Sequence, residues 1–330
     1  MRLFLALAAS LALLTPHTAH AWGERGHAVI DTAAIEAIPE DGPIFLKKHI
    51  DYIVASASQP DSWRGSAEGF SKIIEDPNHG WFREQFTFLK PIPRSRYEFV
   101  LALYDRHLQI RDSDPEAAAR TNVRWTGTLP YAAIEAYDRI VVCMRQVREL
   151  ASAGRDTSFA EQTCAYDVFR LGHYIGDGAN PMHNSIHADG WRGDNPNGFT
   201  TDRGVHGRFE GRFVDGIELV PSDILPRIGA PGRKEGDMFD LVLAYLDESG
   251  DKVEEVYRLE QRDGFSDFTD PDVREMVYER TAAGAAMLRD MLCRAWAESA
   301  NPPAKVTPSP LDFDNPAFNP ATGSAPAAPR

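Results

Sequence analysis

The chain has 330 residues, 43% of them hydrophobic, and sets 35 Lys+Arg against 49 Asp+Glu, for a formal charge of −14. That acidity argues against a broad electrostatic grip on DNA or on anionic membranes, while leaving room for a local cationic site. Three cysteines with no Cys-x-x-Cys are too few for a disulfide scaffold in a chain this long.

Residues 1–21 read as a secretory signal: a positive charge at Arg2, an apolar run from Leu3 to Leu14, and a small-x-small end at Ala19-His20-Ala21. The run is shorter than the roughly 20 residues needed to span a bilayer. Cleavage after Ala21 would send the chain out of the cytoplasm, secreted or periplasmic, as 309 residues of charge 34 − 49 = −15 beginning at Trp22. A free α-amino group is a nitrogen donor with pKa near ~7.7–8.0, and with its own carbonyl oxygen it can chelate a cation.

Helical periodicity dominates the chain beyond Trp22. Ala28 to Ile38 and Ile44 to Ala57 come first, then Arg96 to Ile110 with a stripe of Tyr97, Val100, Leu101, Tyr104 and Leu108. Tyr131 to Leu150 and Phe159 to Ile175 come next, and a Gly/Asn/Asp-rich connection runs from Asn184 to Gly204. Met238 to Leu259 and Asp270 to Trp296 are long and amphipathic. Alternating strand patterns are scarce. The expectation is an all-α single domain over residues 22–300, of about eight to ten helices, followed by a disordered Pro/Ala-rich tail over 301–330 with eight prolines. A helix hairpin folding near Gly154 makes Cys143–Cys164 the first choice for one disulfide, leaving Cys293 over.

The chemistry concentrates in His173-Tyr-Ile-Gly-Asp177-Gly-Ala-Asn-Pro-Met-His183. Residues four apart share a helix face, so His173 and Asp177 can hold one ion. Asn180-Pro181 ends the helix and presents His183 beside Asp177. His206 and Glu210 repeat the four-residue spacing. A single pair of this kind is ordinarily a surface contact worth a few tenths of a kcal/mol; the set is what carries weight. His27 comes five residues after Trp22, with two glycines that allow the chain to turn back on the terminus. Asp61 and His79 read as loop residues, whereas His49, His107 and His187 read as ordinary histidines. Nitrogen and carboxylate donors without thiolate suit catalytic zinc. Three zinc ions would bring +6 against −3 from Asp61, Asp177 and Glu210, a local excess of about +3 suited to a phosphate diester.

In order, a mature Trp-Gly-x-x-Gly-His, an Asp, a His, His-x-x-x-Asp with Pro-x-His, and His-x-x-x-acid resemble the superfamily that joins bacterial zinc-dependent phospholipase C with the single-strand-specific three-zinc nucleases. The set spans residues 22 to 210. The resemblance implies one zinc on Asp61, His79, His173 and Asp177, a second on the Trp22 amine and carbonyl, His27 and Asp177, and a third on His183, His206 and Glu210. It also implies attack on phosphorus by a zinc-bound hydroxide oriented by Asp61, with Arg64 neutralising the phosphate.

The two branches divide over a few residues. The short Trp-to-His spacing resembles the nucleases, and Ser62 stands where the phospholipase has an aromatic residue. Glu210 instead resembles the phospholipase, since the nucleases usually carry Asp there. The nuclease base-stacking residue is displaced, with Gly80 after His79 and the candidate platform at Trp81 or Phe82. The leading expectation is an endonuclease/3′-nucleotidase acting on single-stranded nucleic acid or nucleotides. Phospholipid hydrolysis is the alternative, and non-catalytic zinc sequestration a reading from another class. No obligate protein partner is evident.

Overall fold

The computed structural model describes residues 22–232 and 235–302, so the expected signal over 1–21 and nearly all of the expected tail lie outside the described residues. Among the described residues the chain is helical and carries no strand, only an isolated bridge between Trp81 and Gly127. It is an all-α single domain.

Most of the long helices fall where the periodicity places them, whereas the short helices Gln59–Gly65 and Gly69–Glu75 form where no helix is expected, and the helix expected over Ile44 to Ala57 divides into a 3-10 turn, Ile44–His49, and a short helix, Ile50–Ala55. The main helices are α1 (Gly23–Glu36), α2 (Gln59–Gly65), α3 (Gly69–Glu75), α4 (Arg96–Ile110), α5 (Leu129–Ser152), α6 (Ser158–Ala179), α7 (Met238–Gly250), α8 (Val253–Gln261) and α9 (Pro271–Ser299). Between them run short helical turns, so the segments outnumber the expected eight to ten. The run expected from Met238 to Leu259 breaks at Asp251-Lys252 into α7 and α8. The stripe expected on α4 is a helix face but not the buried one: Tyr97, Val100, Tyr104 and Leu108 are exposed, while Phe99 and Leu103 enter the core. Periodicity reports an apolar face and cannot report what covers it.

At the centre α5 and α6 form an antiparallel hairpin that turns at Gly154 (φ +63°), and α9 packs along both of them and along α1. The hairpin is closed by the Cys143–Cys164 disulfide, with Cα atoms 5.5 Å apart. Capping is local and chemical: Asp237 accepts N–H bonds at the start of α7 and Asp270 at the start of α9, each typically worth about 1 kcal/mol.

One contact positions the site. On α6, Gly172 and Gly176 lie one turn apart and face α1. A methyl group at 176 would stand 2.8 Å from His27 Nδ1, and one at 172 would collide with the Asp31 carboxyl. Two missing side chains therefore let α1 settle on α6 with His27 and Asp31 against its backbone.

Candidate metal centre

The centre assembles from the start of α1, from α2, from the turn Asp76–His79, from the last turns of α6 with the turn Pro181–Asn184, and from residues 205–213. Its polar side chains His27, Asp61, His79, His173, Asp177, His183, His206 and Glu210 are all buried. Sequence places Asp61 and His79 in loops, yet both sit in helical turns. Pro60 starts α2 without requiring an N–H, which delivers Asp61 in the first turn.

Asp177 is the hub. Its Oδ1 lies 3.3 Å from His27 Nε2. Its Oδ2 lies 2.9 Å from His79 Nδ1, 3.6 Å from His173 Nε2 and 3.9 Å from His183 Nδ1. Asp61 Oδ1 stands 3.6 Å from His79 Nδ1 and 3.8 Å from His173 Nε2. Farther along, Glu210 Oε2 is 2.8 Å from His206 Nε2 and 3.3 Å from His183 Nε2. Glu210 reaches this position from a π-helical turn, Arg208–Phe213, an element often found at functional positions. Helix α6 ends as expected: Asn180 accepts the Met182 N–H, and the chain then turns to place His183.

Three trios have donor atoms all within 4.8 Å of one another: His27/Asp61/His173, His79/His173/Asp177 and His183/His206/Glu210. These buried groups can bind metal ions at three sites. The last two trios match the expected partition, and the first joins His27 to Asp61. Trp22 is fully buried and adopts a left-handed backbone (φ 49°). Its indole N–H donates to the Gly176 carbonyl at 2.7 Å, its nitrogen lies 3.3 Å from Glu210 Oε2, and its carbonyl accepts the Gly26 N–H at 2.9 Å. In this arrangement Trp22 meets the centre through Glu210.

Partners on the outer side orient the rings. His173 Nδ1 faces the Ala57 carbonyl at 2.8 Å, His183 Nδ1 faces the His79 carbonyl, and His206 Nδ1 faces Asp189 at 3.5 Å. Each contact leaves Nε2 for the centre. His79 is reversed: Nε2 faces Glu75 at 3.4 Å, and Glu75 in turn accepts from the Tyr174 hydroxyl at 2.7 Å. Sequence singles out neither Glu75 nor Asp189. The four-residue spacing to His79 is a signal available for Glu75, whereas no local pattern marks Asp189.

His79 Nδ1 and His173 Nε2 approach each other to 3.1 Å, with Asp177 Oδ2 2.9 Å from His79 Nδ1. His27 Nδ1 and Nε2, Asp177 Oδ1 and Glu210 Oε1 are buried with no hydrogen-bond partner among the described residues. Buried polar atoms gathered this densely without partners suit a bound cation. The titration directions agree. Burial opposes ionisation of Asp177, but the surrounding His173, His183, His27 and His79 outweigh it and hold the carboxyl well below its ordinary value. Burial likewise opposes a charge on His206, but Glu210 and Asp189 push it up to about 10. Burial, reinforced by His27, drives His173 down to about 3. The donor set therefore fits divalent cations.

A cleft of about 240 Å³ opens onto the centre, lined by His79, His183 and His206 and by Arg64, Arg124, Arg192 and Arg203. Arg64 Nε is 3.8 Å from Asp61 Oδ1. Phe82 is half-buried on the wall of the cleft. Trp81 is only 2% exposed and packs against Phe86, Phe99 and Tyr131, so it is a core residue and cannot stack on a ligand. The three histidines read as ordinary stay outside the trios: His49 meets Glu161, His107 the Ala118 carbonyl, and His187 stacks on Trp191. No family model, curated protein or solved structure matches the chain.

Proposed function

We propose that the chain is a zinc-dependent phosphodiester hydrolase of the phospholipase C/three-zinc nuclease kind, secreted or periplasmic, with single-stranded nucleic acid or nucleotides as substrate. The observation that carries this reading is the sharing of buried Asp177 by four histidines inside three potential metal sites. His79, His173 and Asp61 with Asp177, His27 and Trp22 with Asp177, and His183, His206 and Glu210 would hold the ions. Bound zinc would supply Lewis-acid polarisation of the phosphoryl oxygens and an acidified water. The protein's own part is electrostatic and positional. Asp61, buried beside His79 and His173 just behind the cleft, would orient a water held by the bound ions. Arg64 brings a guanidinium to the cleft, where a substrate phosphate would meet it, and Phe82 offers a ring on the wall.

A second reading, phospholipid hydrolysis, is favoured by one feature. Helix α3 joins the Asp61/Arg64 turn to His79 and leaves Phe70, Ile73 and Ile74 at 92%, 74% and 68% exposure beside the cleft. Assaying the zinc-loaded chain from Trp22 onward on single-stranded DNA, RNA, a 3′-mononucleotide and phosphatidylcholine separates the readings. Cleavage of the nucleic acids is the expected result, lipid hydrolysis alone moves the assignment to the second reading, and no hydrolysis of any of them with metal bound leaves zinc sequestration.

A further inference from the structure

Part of the cleft wall is built from two segments that supply none of the candidate metal ligands. The turn Val123–Thr126 supplies Arg124 and Trp125, and the loop after Pro181–Asn184 supplies Arg192 and Arg203. Arg192 lies over the Trp125 ring, 5.6 Å from its centroid. Its segment is held in shape from within: the Arg192 N–H donates to His187 Nδ1 at 3.0 Å, His187 stacks on Trp191 at 3.7 Å, and the Trp191 indole donates to the Asp194 carbonyl at 2.8 Å. Arg203 approaches Asp189 at 4.0 Å. Arg124 and Arg192, by contrast, have no carboxylate within 4.0 Å among the described residues, whereas the other two arginines lining the cleft, Arg64 and Arg203, each approach one. Two guanidinium groups without a fixed counter-charge leave this wall of the cleft open to an anionic group.

We infer that Trp125 and Arg192 form a stacking platform for a base flanking the scissile phosphate, and that Arg124 takes up a neighbouring phosphate. The substrate class is then a single-stranded polynucleotide that fills both the metal centre and this wall. The inference rests on the phosphodiesterase reading and narrows it. A base has a π face for the Trp125–Arg192 stack and a chain has further phosphates for Arg124. A phospholipid has neither: its one phosphate belongs at the metal centre, and a choline head group would meet like charge at Arg124 and Arg192. A 3′-mononucleotide would reach only part of the wall.

The test compares wild type with Trp125→Ala, Trp125→Phe, Arg192→Gln and Arg124→Gln, all zinc-loaded. One readout is kcat/KM on oligothymidylate against bis(4-nitrophenyl) phosphate, a diester too small to reach the wall. The other is equilibrium binding of a labelled phosphorothioate oligothymidylate as salt is varied. Loss of one stacked base should lower oligonucleotide kcat/KM in Trp125→Ala by about 5- to 150-fold relative to the small diester, mostly through KM, with Trp125→Phe recovering most of the loss. Arg124→Gln should flatten the slope of log affinity against log salt by about 0.7, while Arg192→Gln should weaken binding by loss of the stack. Equal losses on both diesters, or unchanged oligonucleotide binding in all four variants, overturns the platform. If wild type hydrolyses neither diester, the phosphodiesterase reading fails by itself, and the binding measurement still decides whether the wall holds a strand.

Discussion

Asp177 on α6 and Asp31 on α1 are buried to the same degree, at 0% and 1% exposure, and they sit within one turn of the same contact between helices. Their chemistry is opposite. Asp177 is surrounded by His27, His79, His173 and His183, and those neighbours hold its carboxyl well below the ordinary range. Asp31 stands one turn after His27, lies against Gly172, and has neither oxygen hydrogen-bonded among the described residues, so burial pushes it well above that range. Burial makes a carboxyl into an acid, and nitrogen donors around it make it into a ligand. The difference between the two positions is the difference between a lone buried acid and a group of side chains that could hold a metal ion.

Asp177→Asn should produce the largest break. It keeps the shape and removes the charge shared by two of the proposed ions, so two sites should weaken, and kcat should drop by about 10²–10³-fold on the scale of a lost transition-state electrostatic contact. Isothermal titration with zinc and single-turnover kinetics would check this, and near-wild-type behaviour would remove Asp177 from the hub. Next comes the terminus. Retaining a residue ahead of Trp22 converts its amine to an amide with no basic lone pair, close to Glu210 in a fully buried position. About one zinc fewer and much slower hydrolysis are expected, with both restored when the extension is cleaved; equal metal content with the extension in place would leave Trp22 as a packing residue.

Smaller effects are expected one layer out. Glu75→Ala and Asp189→Ala should each lower zinc affinity by about 10–100-fold by releasing the rings of His79 and His206, and competition with a chromogenic chelator reads this directly. An affinity unchanged in both variants would mean the rings are held by packing alone. The smallest effect concerns Asp31. Its raised folded pKa means that the native state keeps a proton which the unfolded chain releases, so its contribution to stability is present below the unfolded carboxyl value and is lost as pH rises through the folded one. Asp177, with a depressed pKa, has the reverse sign and loses its contribution as pH falls. Asp31→Asn should therefore gain Tm relative to wild type between pH 4 and pH 7, by about 2–4 °C for each kcal/mol relieved, with zinc content unaltered. A pH-independent difference would show that Asp31 is ionised and compensated.

The legible part of the site came from spacing. The four-residue pairs His173/Asp177 and His206/Glu210 meet as helical geometry requires, and Asn180-Pro181 turns the chain to bring His183 in. Cys143 and Cys164 pair because the α5–α6 hairpin turns at Gly154. Illegible were the features set by tertiary contact. Trp81 has the sequence setting of a loop aromatic and is core, since α4 and α5 bring Phe99 and Tyr131 onto it. Asp189, Arg124 and Arg192 carry no periodic signal and reach the cleft only through the folding of irregular segments. Gly172 and Gly176 look like helix-weakening residues in sequence, yet they are what lets His27 reach Asp177.

Whether Asp177 exists to be shared between cations is tested most directly by elemental analysis of the chain beginning at Trp22, purified without a metal-binding tag. Three donor trios around and beside Asp177 predict about three zinc ions per molecule. Fewer than two metal ions per chain would contradict a shared centre and leave these buried histidines and carboxylates as a protonated network.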